Sequence, residues 1–222
     1  MAELRPRRYR LVAFDWDGTL ADSTSIIAAS IQAACQDVGE PVPDDVAARY
    51  VIGLGLADAL AHVAPALPLE RHAELSARYR HHYLSRDPQI PLFEGATELL
   101  ADLQAAGFLL AVATGKSRVG LDRALYGNNL VRHFHATRCA DEGRPKPHPD
   151  MLLHLMRVLG VTPAQTLMVG DTTHDLELAR AAGADAVGVA YGAHEADGLR
   201  TASPLAIVHS IAELRAWLGE NA

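Results

Sequence analysis

Several features that would indicate a membrane, secreted or nucleic-acid-binding protein are scarce in this sequence. No apolar run approaches the roughly 20 residues that cross a bilayer, and the first apolar run meets Asp15 too soon for a secretory signal. The only two cysteines, Cys35 and Cys139, are far apart and predict reduced thiols in the cytoplasm. Acidic residues outnumber basic ones, and the net charge is −7. This negative charge argues against nucleic acid as a partner.

The composition favours a helix-rich α/β protein. Aromatic residues make up only 5% of the 222 residues and hydrophobic residues 49%, with alanine and leucine dominant. This length fits one large domain, or one domain with an insert. A short basic cluster precedes the first apolar run, and we interpret it as a solvent-exposed lead-in, not a binding patch. The cluster consists of Arg5, Arg7, Arg8 and Arg10.

The most informative segment is an apolar run that ends in two carboxylates. Residues 11–14 show no helical spacing, and Asp15, Asp17 and Gly18 follow them, which predicts a buried strand that reaches a turn. In an open parallel sheet, ligands bind at the carboxyl ends of the strands. Carboxylates left unpaired at the edge of a core are unfavourable. The two aspartates therefore predict a bound cation, and one of them can also serve as a nucleophile.

The chain changes character after its first strand. Residues 22–91 show helical spacing and no strand pattern, whereas strands and helices alternate from residue 92, which implies a parallel sheet with right-handed crossovers. We predict a Rossmann-like α/β core over residues 1–21 and 92–222, flanked by helices, with an all-helical cap domain at 22–91 lying over the strand ends. The predicted helices are 23–38, 44–50, 56–64, 68–85, 95–106, 117–126, 150–160, 175–182 and 210–218, and the later strands are 108–113, 133–136, 166–170, 186–190 and 206–208.

Polar residues that follow the later strands suit phosphoryl transfer. The negative oxygens of a phosphoryl group need positive charges and hydrogen-bond donors around them. Lys146 can supply a positive charge, and Thr114 and the amide of Gly115 at a helix start can donate hydrogen bonds. Mg2+ prefers oxygen ligands. The candidate carboxylate ligands are Asp15, Asp171 and Asp175.

Asp15 is the candidate nucleophile and Asp17 the candidate general acid and base. Asp15 can attack phosphorus to form an aspartyl-phosphate, and its ordinary pKa of about 3.9 would leave it ionised at neutral pH. Asp17 can protonate the leaving alcohol and later deprotonate water. The acid step requires a proton on Asp17, which a neighbouring carboxylate favours. Alternate strand residues share one side, so Trp16 is expected to point away from both.

Four segments of the sequence together resemble the motifs of the haloacid dehalogenase superfamily. They are residues 15–20, 114–115, 146–147 and 170–175, in the order that the superfamily shows. The helical insert resembles the cap of its phosphoglycolate phosphatase-like branch. The resemblance implies an enzyme that hydrolyses a small phosphorylated metabolite, with 2-phosphoglycolate as the expected substrate and Mg2+ as the cofactor.

The same resemblance implies a role for each site residue. Asp15 would be the nucleophile, Asp17 the acid and base, and Thr114 and Lys146 the phosphate-binding residues. The implied Mg2+ ligands are Asp15, the main-chain carbonyl of Asp17, and Asp171. Asp175 would either support the metal site or orient Lys146.

Candidate specificity residues lie in the cap and beside it. In related caps the loop that corresponds to residues 50–56 faces the active site, so we expect this loop to influence substrate choice. The candidates are Gly53, Leu54 and Gly55 in the loop, and Lys116, Arg118 and His174 in the core. The alternatives are a structural salt bridge for Arg118 and a surface position for His174.

Other functions remain as alternatives. A sugar phosphomutase would use a cap arginine that residues 53–56 lack, and pyrophosphate is another candidate substrate. A phosphonatase would need an amine on the cap, but residues 22–91 contain no lysine. A dehalogenase would not need Asp17, because a halide leaves without a proton. A phospho-aspartate signalling domain uses similar residue types but does not account for the helical insert. Both a monomer and a homodimer are compatible with the sequence.

Overall fold

A single parallel sheet forms the centre of the core. The computed structural model describes residues 8–222, apart from the side chain of Gln89. Within this part of the chain, six strands lie in the order β3-β2-β1-β4-β5-β6. They are β1 (Leu11–Phe14), β2 (Leu109–Thr114), β3 (Ala136–Cys139), β4 (Thr166–Gly170), β5 (Asp185–Val189) and β6 (Ala206–Val208). The predicted α/β fold class is confirmed.

Helices cover both faces of the sheet because side chains alternate along each strand. Val12 and Phe14 pack into one buried cluster, and Leu11 and Ala13 pack into another on the opposite face. The first cluster is covered by α5 (Ala96–Ala105), α6 (Arg118–Gly127) and α10 (Ile211–Asn221). The second is covered by α7 (Asp150–Leu159), α8 (Thr173–Ala181) and α9 (Ala196–Thr201).

The helical cap follows β1 and has an apolar cluster of its own. Its helices are α1 (Thr24–Asp37), α2 (Asp45–Tyr50), α3 (Leu56–Val63) and α4 (His72–Leu84). Buried Ile31, Leu60 and Leu75 belong to this cluster. The two connections to the core lie side by side, since the Asp22 amide donates to the Pro91 carbonyl at 2.9 Å. This crossing supports our assignment of residues 22–91 to the cap.

The edge of the sheet differs from the sequence prediction. A strand was expected at 133–136, but Val131–His133 forms a 3-10 turn and β3 begins at Ala136. Only Cys139 of β3 is buried, so the apolar pattern that marks a strand is weak here. The sequence analysis also did not predict α9, because only Leu199 of this helix is buried and the apolar pattern is too weak to indicate a helix.

The amino-terminal basic lead-in is only partly covered by the structure. Arg5 and Arg7 lie outside the described residues. Arg8 and Arg10 are exposed, and the Arg8 guanidinium donates to Asp185 Oδ2 at 2.8 Å. No helix within residues 8–222 has both the length and the apolar character of a membrane-spanning helix.

We expect Leu100→Ala to lower the free energy of unfolding by about 2–5 kcal/mol, because this fully buried leucine of α5 would leave a cavity. The matched control is Leu153→Ala in α7, where the leucine is 45% exposed and the loss should stay within about 0.5 kcal/mol. Urea unfolding followed by circular dichroism measures both. Equal losses in the two variants would contradict this placement of the core.

Candidate active site

The sheet order brings the first and fourth motifs together. β1 lies between β2 and β4, so the chain reverses its direction of travel across the sheet beside β1, and ligands bind at such a point. Phe14 pairs with Val169, and the Asp15 amide donates to the Val169 carbonyl at 2.9 Å. Asp15 and Asp171, each of which follows its strand directly, are therefore neighbours at the carboxyl edge of the sheet.

A buried lysine joins two carboxylates at this edge. Lys146 Nζ donates to Asp15 Oδ1 at 2.7 Å and to Asp175 Oδ1 at 2.6 Å, and all three side chains are removed from solvent. Burial alone would lower the pKa of Lys146, but the carboxylates of Asp15 and Asp175 outweigh burial and raise it. Lys146 is therefore a fixed positive charge beside the candidate nucleophile.

Asp171 and Asp175 are also held by short-range hydrogen bonds. Asp171 accepts from Thr19 Oγ1 at 2.9 Å and from the Ala193 amide at 2.7 Å. Asp175 Oδ2 accepts from the Thr172 hydroxyl at 2.7 Å, and Thr172 caps α8, which starts two residues before its predicted position. Both side chains are thus oriented before any ligand binds.

A glycine is required where the first motif passes Asp171. Gly18 has a φ of +81°, which L side chains rarely adopt. A Cβ at this position would lie 2.7 Å from Asp171 Cγ and 2.8 Å from Thr24 Cγ2. The main chain can approach the Asp171 carboxylate only because this residue has no side chain.

The carboxylate cluster fits a divalent cation. Oxygen atoms of Asp15, Asp171 and Asp175 lie within 4.8 Å of one another, and one ammonium group cannot balance three buried carboxylates. Asp15 Oδ2 is buried without a hydrogen-bond partner, which is unfavourable unless a ligand binds it. An all-oxygen set of ligands is what Mg2+ prefers.

The excess of negative charge changes the proton affinities in the cluster. Burial raises the pKa of Asp15 to about 7; Lys146 opposes this rise, and Asp175 and Asp17 add to it. Burial also raises the pKa of Asp171 well above its usual value, and the carboxylates of Asp15 and Asp175 reinforce the effect. The ordinary pKa expected for Asp15 from the sequence is therefore wrong for the metal-free protein.

Asp17 lies in a second polar group that links core and cap. Its Oδ1 accepts from the Ser23 hydroxyl at 2.7 Å and from Lys116 Nζ at 2.9 Å. The same ammonium donates to the Tyr83 hydroxyl of α4 at 2.8 Å. Trp16 is buried in the core cluster, on the side away from the two aspartates, as the strand alternation predicted. The proton that the acid step requires on Asp17 stays a prediction.

The end of β2 lies directly beneath the cap loop. Thr114 is fully buried, and its hydroxyl accepts from the Lys116 amide at 3.2 Å. A Cβ on Gly115 would lie 2.6 Å from the Gly53 carbonyl oxygen and 2.5 Å from that of Leu54. Any side chain at residue 115 would therefore displace the loop, so the glycine permits the close contact between cap and core.

The structure brings some of the candidate specificity residues into one cavity and leaves others out. A cavity of about 670 Å³ lies between cap and core, and Gly53, Leu54, Gly55 and Lys116 line it together with Asp17. Arg118 is not in its wall, and its contacts are those of the alternative interpretation, a structural salt bridge. Its guanidinium forms an ion pair with Glu142 at 2.8 Å.

His174 also lies outside the wall of this cavity. It is buried, and its Nε2 is 2.8 Å from the Tyr50 carbonyl oxygen, so it connects α8 to the end of α2. Burial lowers the pKa of His174, which keeps the ring neutral. The contact joins core and cap and does not reach the cavity.

Comparison with known proteins decides the family. Residues 12–189 match the family described as haloacid dehalogenase-like hydrolase. The chain belongs to this family. This confirms the family and the enzyme class expected from the motifs.

Several named proteins are similar to this chain over nearly its whole length. The probable phosphatase IndB of Dickeya dadantii is 40% identical over 92% of this chain and 91% of its own. The tyrosine-protein kinase PtkA of Mycobacterium tuberculosis is 36% identical over 95% of this chain and 72% of its own. The phosphoglycolate phosphatase of Escherichia coli K12 is 30% identical, with 95% and 92% covered. A crystal structure of a predicted phosphatase from Clostridium acetobutylicum shares 26% identity at a TM-score of 0.85, covering 96% of this chain and 99% of that one.

Sequence reasoning missed several groups that support the site of this hydrolase. Thr19 lies within the first motif and Ser23 follows it closely, so their positions in the sequence could have suggested a role. Tyr83 comes from the cap and the Ala193 amide from the segment after β5. Only the folded arrangement of the chain brings these last two groups to the aspartates.

We expect Mg2+ to raise the melting temperature more at pH 8 than at pH 5. Because the pKa values of Asp15 and Asp171 are raised in the folded protein, the folded state without metal keeps protons that the unfolded state has already released. Without metal, the free energy of unfolding therefore falls as the pH rises from about 4 to about 7. A cation replaces those protons and must compete with them at pH 5. Thermal unfolding with and without MgCl2 at each pH measures the difference, with Asp171→Asn as the control that should abolish it. A shift that does not depend on pH would contradict this account.

Proposed function

We propose that this hydrolase is a Mg2+-dependent phosphatase that hydrolyses a small-molecule phosphate monoester through an aspartyl-phosphate on Asp15. The observation that supports this proposal most strongly is the hydrogen bonding of the two carboxylate oxygens of Asp15. One oxygen is fixed by Lys146 at 2.7 Å, and the other is buried and has no partner. A nucleophile needs such an oriented oxygen that is free to form a bond.

In the first half of the reaction, a carboxylate oxygen of Asp15 attacks phosphorus and the bond between phosphorus and the alcohol oxygen breaks. Asp17 gives a proton to that oxygen, so a neutral alcohol leaves. Lys146 balances charge beside the reacting phosphoryl group, and Thr114 at the end of β2 is assigned to bind its oxygens. The products of this half are the alcohol and phosphorylated Asp15.

In the second half, Asp17 takes a proton from a water molecule that attacks phosphorus. The bond between phosphorus and Asp15 breaks, inorganic phosphate leaves, and both aspartates return to their starting states. Asp17 can serve in both steps because it lies two residues from Asp15 on the same side of the chain.

Asp15, Asp171 and the Asp17 carbonyl would hold the magnesium ion. When bound, Mg2+ would supply positive charge that allows a phosphate dianion to approach an anionic nucleophile. Both oxygens of Asp175 are already engaged, by Lys146 and by Thr172. We therefore assign Asp175 mainly to orienting Lys146.

The expected substrate, 2-phosphoglycolate, is supported by the 30% identical phosphoglycolate phosphatases. An N-acetylmuramic acid 6-phosphate phosphatase of Pseudomonas putida is 34% identical over 83% of the chain, so related proteins act on alcohols of very different size. We propose a small phosphorylated metabolite in the cytoplasm as the partner. A panel that includes sugar phosphates and pyrophosphate separates this function from the phosphomutase and pyrophosphatase alternatives.

Asp15→Asn should abolish phosphate release, because an amide cannot form the acyl-phosphate bond, while the fold is kept. Release of inorganic phosphate from the panel in the presence of Mg2+ measures the loss, and circular dichroism checks the fold. Asp22→Asn is the control, because Asp22 is exposed and should keep full activity. Turnover by the Asp15 variant would refute the nucleophile assignment.

Asp17→Asn should lower kcat for an alkyl phosphate by about 10²–10⁴-fold, the usual contribution of a general acid or base. With 4-nitrophenyl phosphate the leaving group needs no proton, so the first step should survive and the second should be slow. Stopped-flow absorbance should then show a burst of 4-nitrophenol that matches the enzyme concentration. A steady rate of 4-nitrophenol release without a burst would remove Asp17 from this role.

A further inference from the structure

We propose that the cavity between cap and core binds the alcohol part of the substrate and selects phosphate monoesters of bulky, mainly apolar alcohols. This inference rests on the proposed phosphatase function and specifies its substrate class. It differs from the expectation of 2-phosphoglycolate, whose alcohol part is small and anionic.

The position of the cavity assigns it to the leaving alcohol. Asp17 and Lys116 lie in its wall, whereas the nucleophile Asp15 does not. The group that protonates the leaving oxygen must lie within hydrogen-bond reach of that oxygen. The alcohol part of a bound ester therefore extends from Asp17 into this cavity and away from Asp15.

The interior of the cavity is apolar. Helix α1 contributes Ile27 and Ile31, the segment from α2 to α3 contributes Ile52 and Ala59, and α4 contributes Tyr79. These aliphatic and aromatic side chains surround a volume of about 670 Å³, which is within the range of sites that bind molecules of drug size. A glycolate group would leave most of this apolar surface in contact with water.

The charged side chains of the wall lie at the rim, except for those beside the reacting centre. Asp58, Arg80 and Asp141 are exposed. By contrast, the side chains of Lys116 and Asp17 are only 9% and 10% exposed, and they bind each other. The wall thus changes from ionic at the catalytic end to apolar in the interior and polar at the rim.

Of the three cations in the wall, Lys116 and Arg123 are already paired, and Arg80 is exposed at the rim. Lys116 donates to Asp17 and to Tyr83 at 2.8 Å. Arg123 forms an ion pair with Asp87 at 2.9 Å. An anionic group close to Asp17 would have to break the ion pair of Lys116, whereas an apolar group gains stabilisation from the wall with both pairs intact.

A series of n-alkyl phosphates tests the proposal with leaving groups of equal intrinsic reactivity. From ethyl through butyl and hexyl to octyl phosphate, kcat/KM should rise by about two- to fourfold for each added methylene until the cavity is filled. Hexyl phosphate should then exceed 2-phosphoglycolate. A flat series, or a higher kcat/KM for 2-phosphoglycolate than for hexyl phosphate, would overturn the proposal.

Two matched variants locate the effect in the cavity. Val119 and Val46 are exposed valines, each the second residue of its helix, and only Val119 lies in the cavity wall. Val119→Asp should lower the ratio of kcat/KM for octyl phosphate to that for ethyl phosphate at least severalfold. Val46→Asp should leave this ratio unchanged. Equal ratios in the two variants would place the selectivity elsewhere.

Measuring how tightly the esters bind to an inactive variant tests the inference about the alcohol independently of the proposed phosphatase function. In the Asp15→Asn variant, calorimetry should show that octyl phosphate binds more tightly than ethyl phosphate, by the same factor per methylene. If no ester in the series is hydrolysed by the wild type, the phosphatase proposal fails. If ethyl phosphate and 2-phosphoglycolate are hydrolysed through Asp15 but chain length changes neither rate nor binding, only the inference about the alcohol fails.

Discussion

The ion pairs of Lys146 with Asp15 and Asp175 are the interaction on which the rest of the site depends. A buried ammonium is stable only beside carboxylates, and these carboxylates are stable only beside a positive charge. Asp171 adds a third negative group within 4.8 Å, so a single lysine cannot neutralise the cluster. The same charge excess that raises the pKa of Asp15 creates the place for a divalent cation. The proposed nucleophile, metal site and phosphate-binding charge are therefore parts of one electrostatic arrangement.

Much of this fold could be predicted from the sequence because its core strands are fully buried. Residues 166–170 read as a strand, and the structure shows the same bounds. Asp15, Lys146 and Asp171 could be placed together because the carboxyl ends of parallel strands meet at one edge. The edge strand β3 could not be located well, since its side chains are mostly half-exposed. The partner of Lys116 on the cap could not be predicted either, because periodicity does not say how two domains face each other.

Lysine occurs at only two positions in this sequence, and both are in the candidate site. Lys116 and Lys146 are the only lysines of the sequence, and each binds an aspartate of the first motif, at 2.9 and 2.7 Å respectively. Exposed ion pairs use arginine instead, as in Arg8 with Asp185. The ammonium of Lys146 is a compact point charge that donates to two carboxylates at once. In the proposed mechanism, Lys146 thus marks the end of the site that binds the phosphoryl group, and Lys116 marks the end that holds the acid Asp17.

The way the cap rests on the core constrains how a substrate can reach Asp15. Asp15 has no exposed surface, so the contacts above it must separate before an ester can enter. Those contacts are mainly polar and local: Tyr83 to Lys116, the Tyr50 carbonyl to His174 and His194, and the loop carbonyls over Gly115. The apolar cluster of the cap is formed almost entirely by its own residues, with Ala193 from the core. Displacing the cap would break these contacts and the ion pair of Asp87 with Arg123, and it would leave both apolar cores intact, so the cap is built to move as one packed unit.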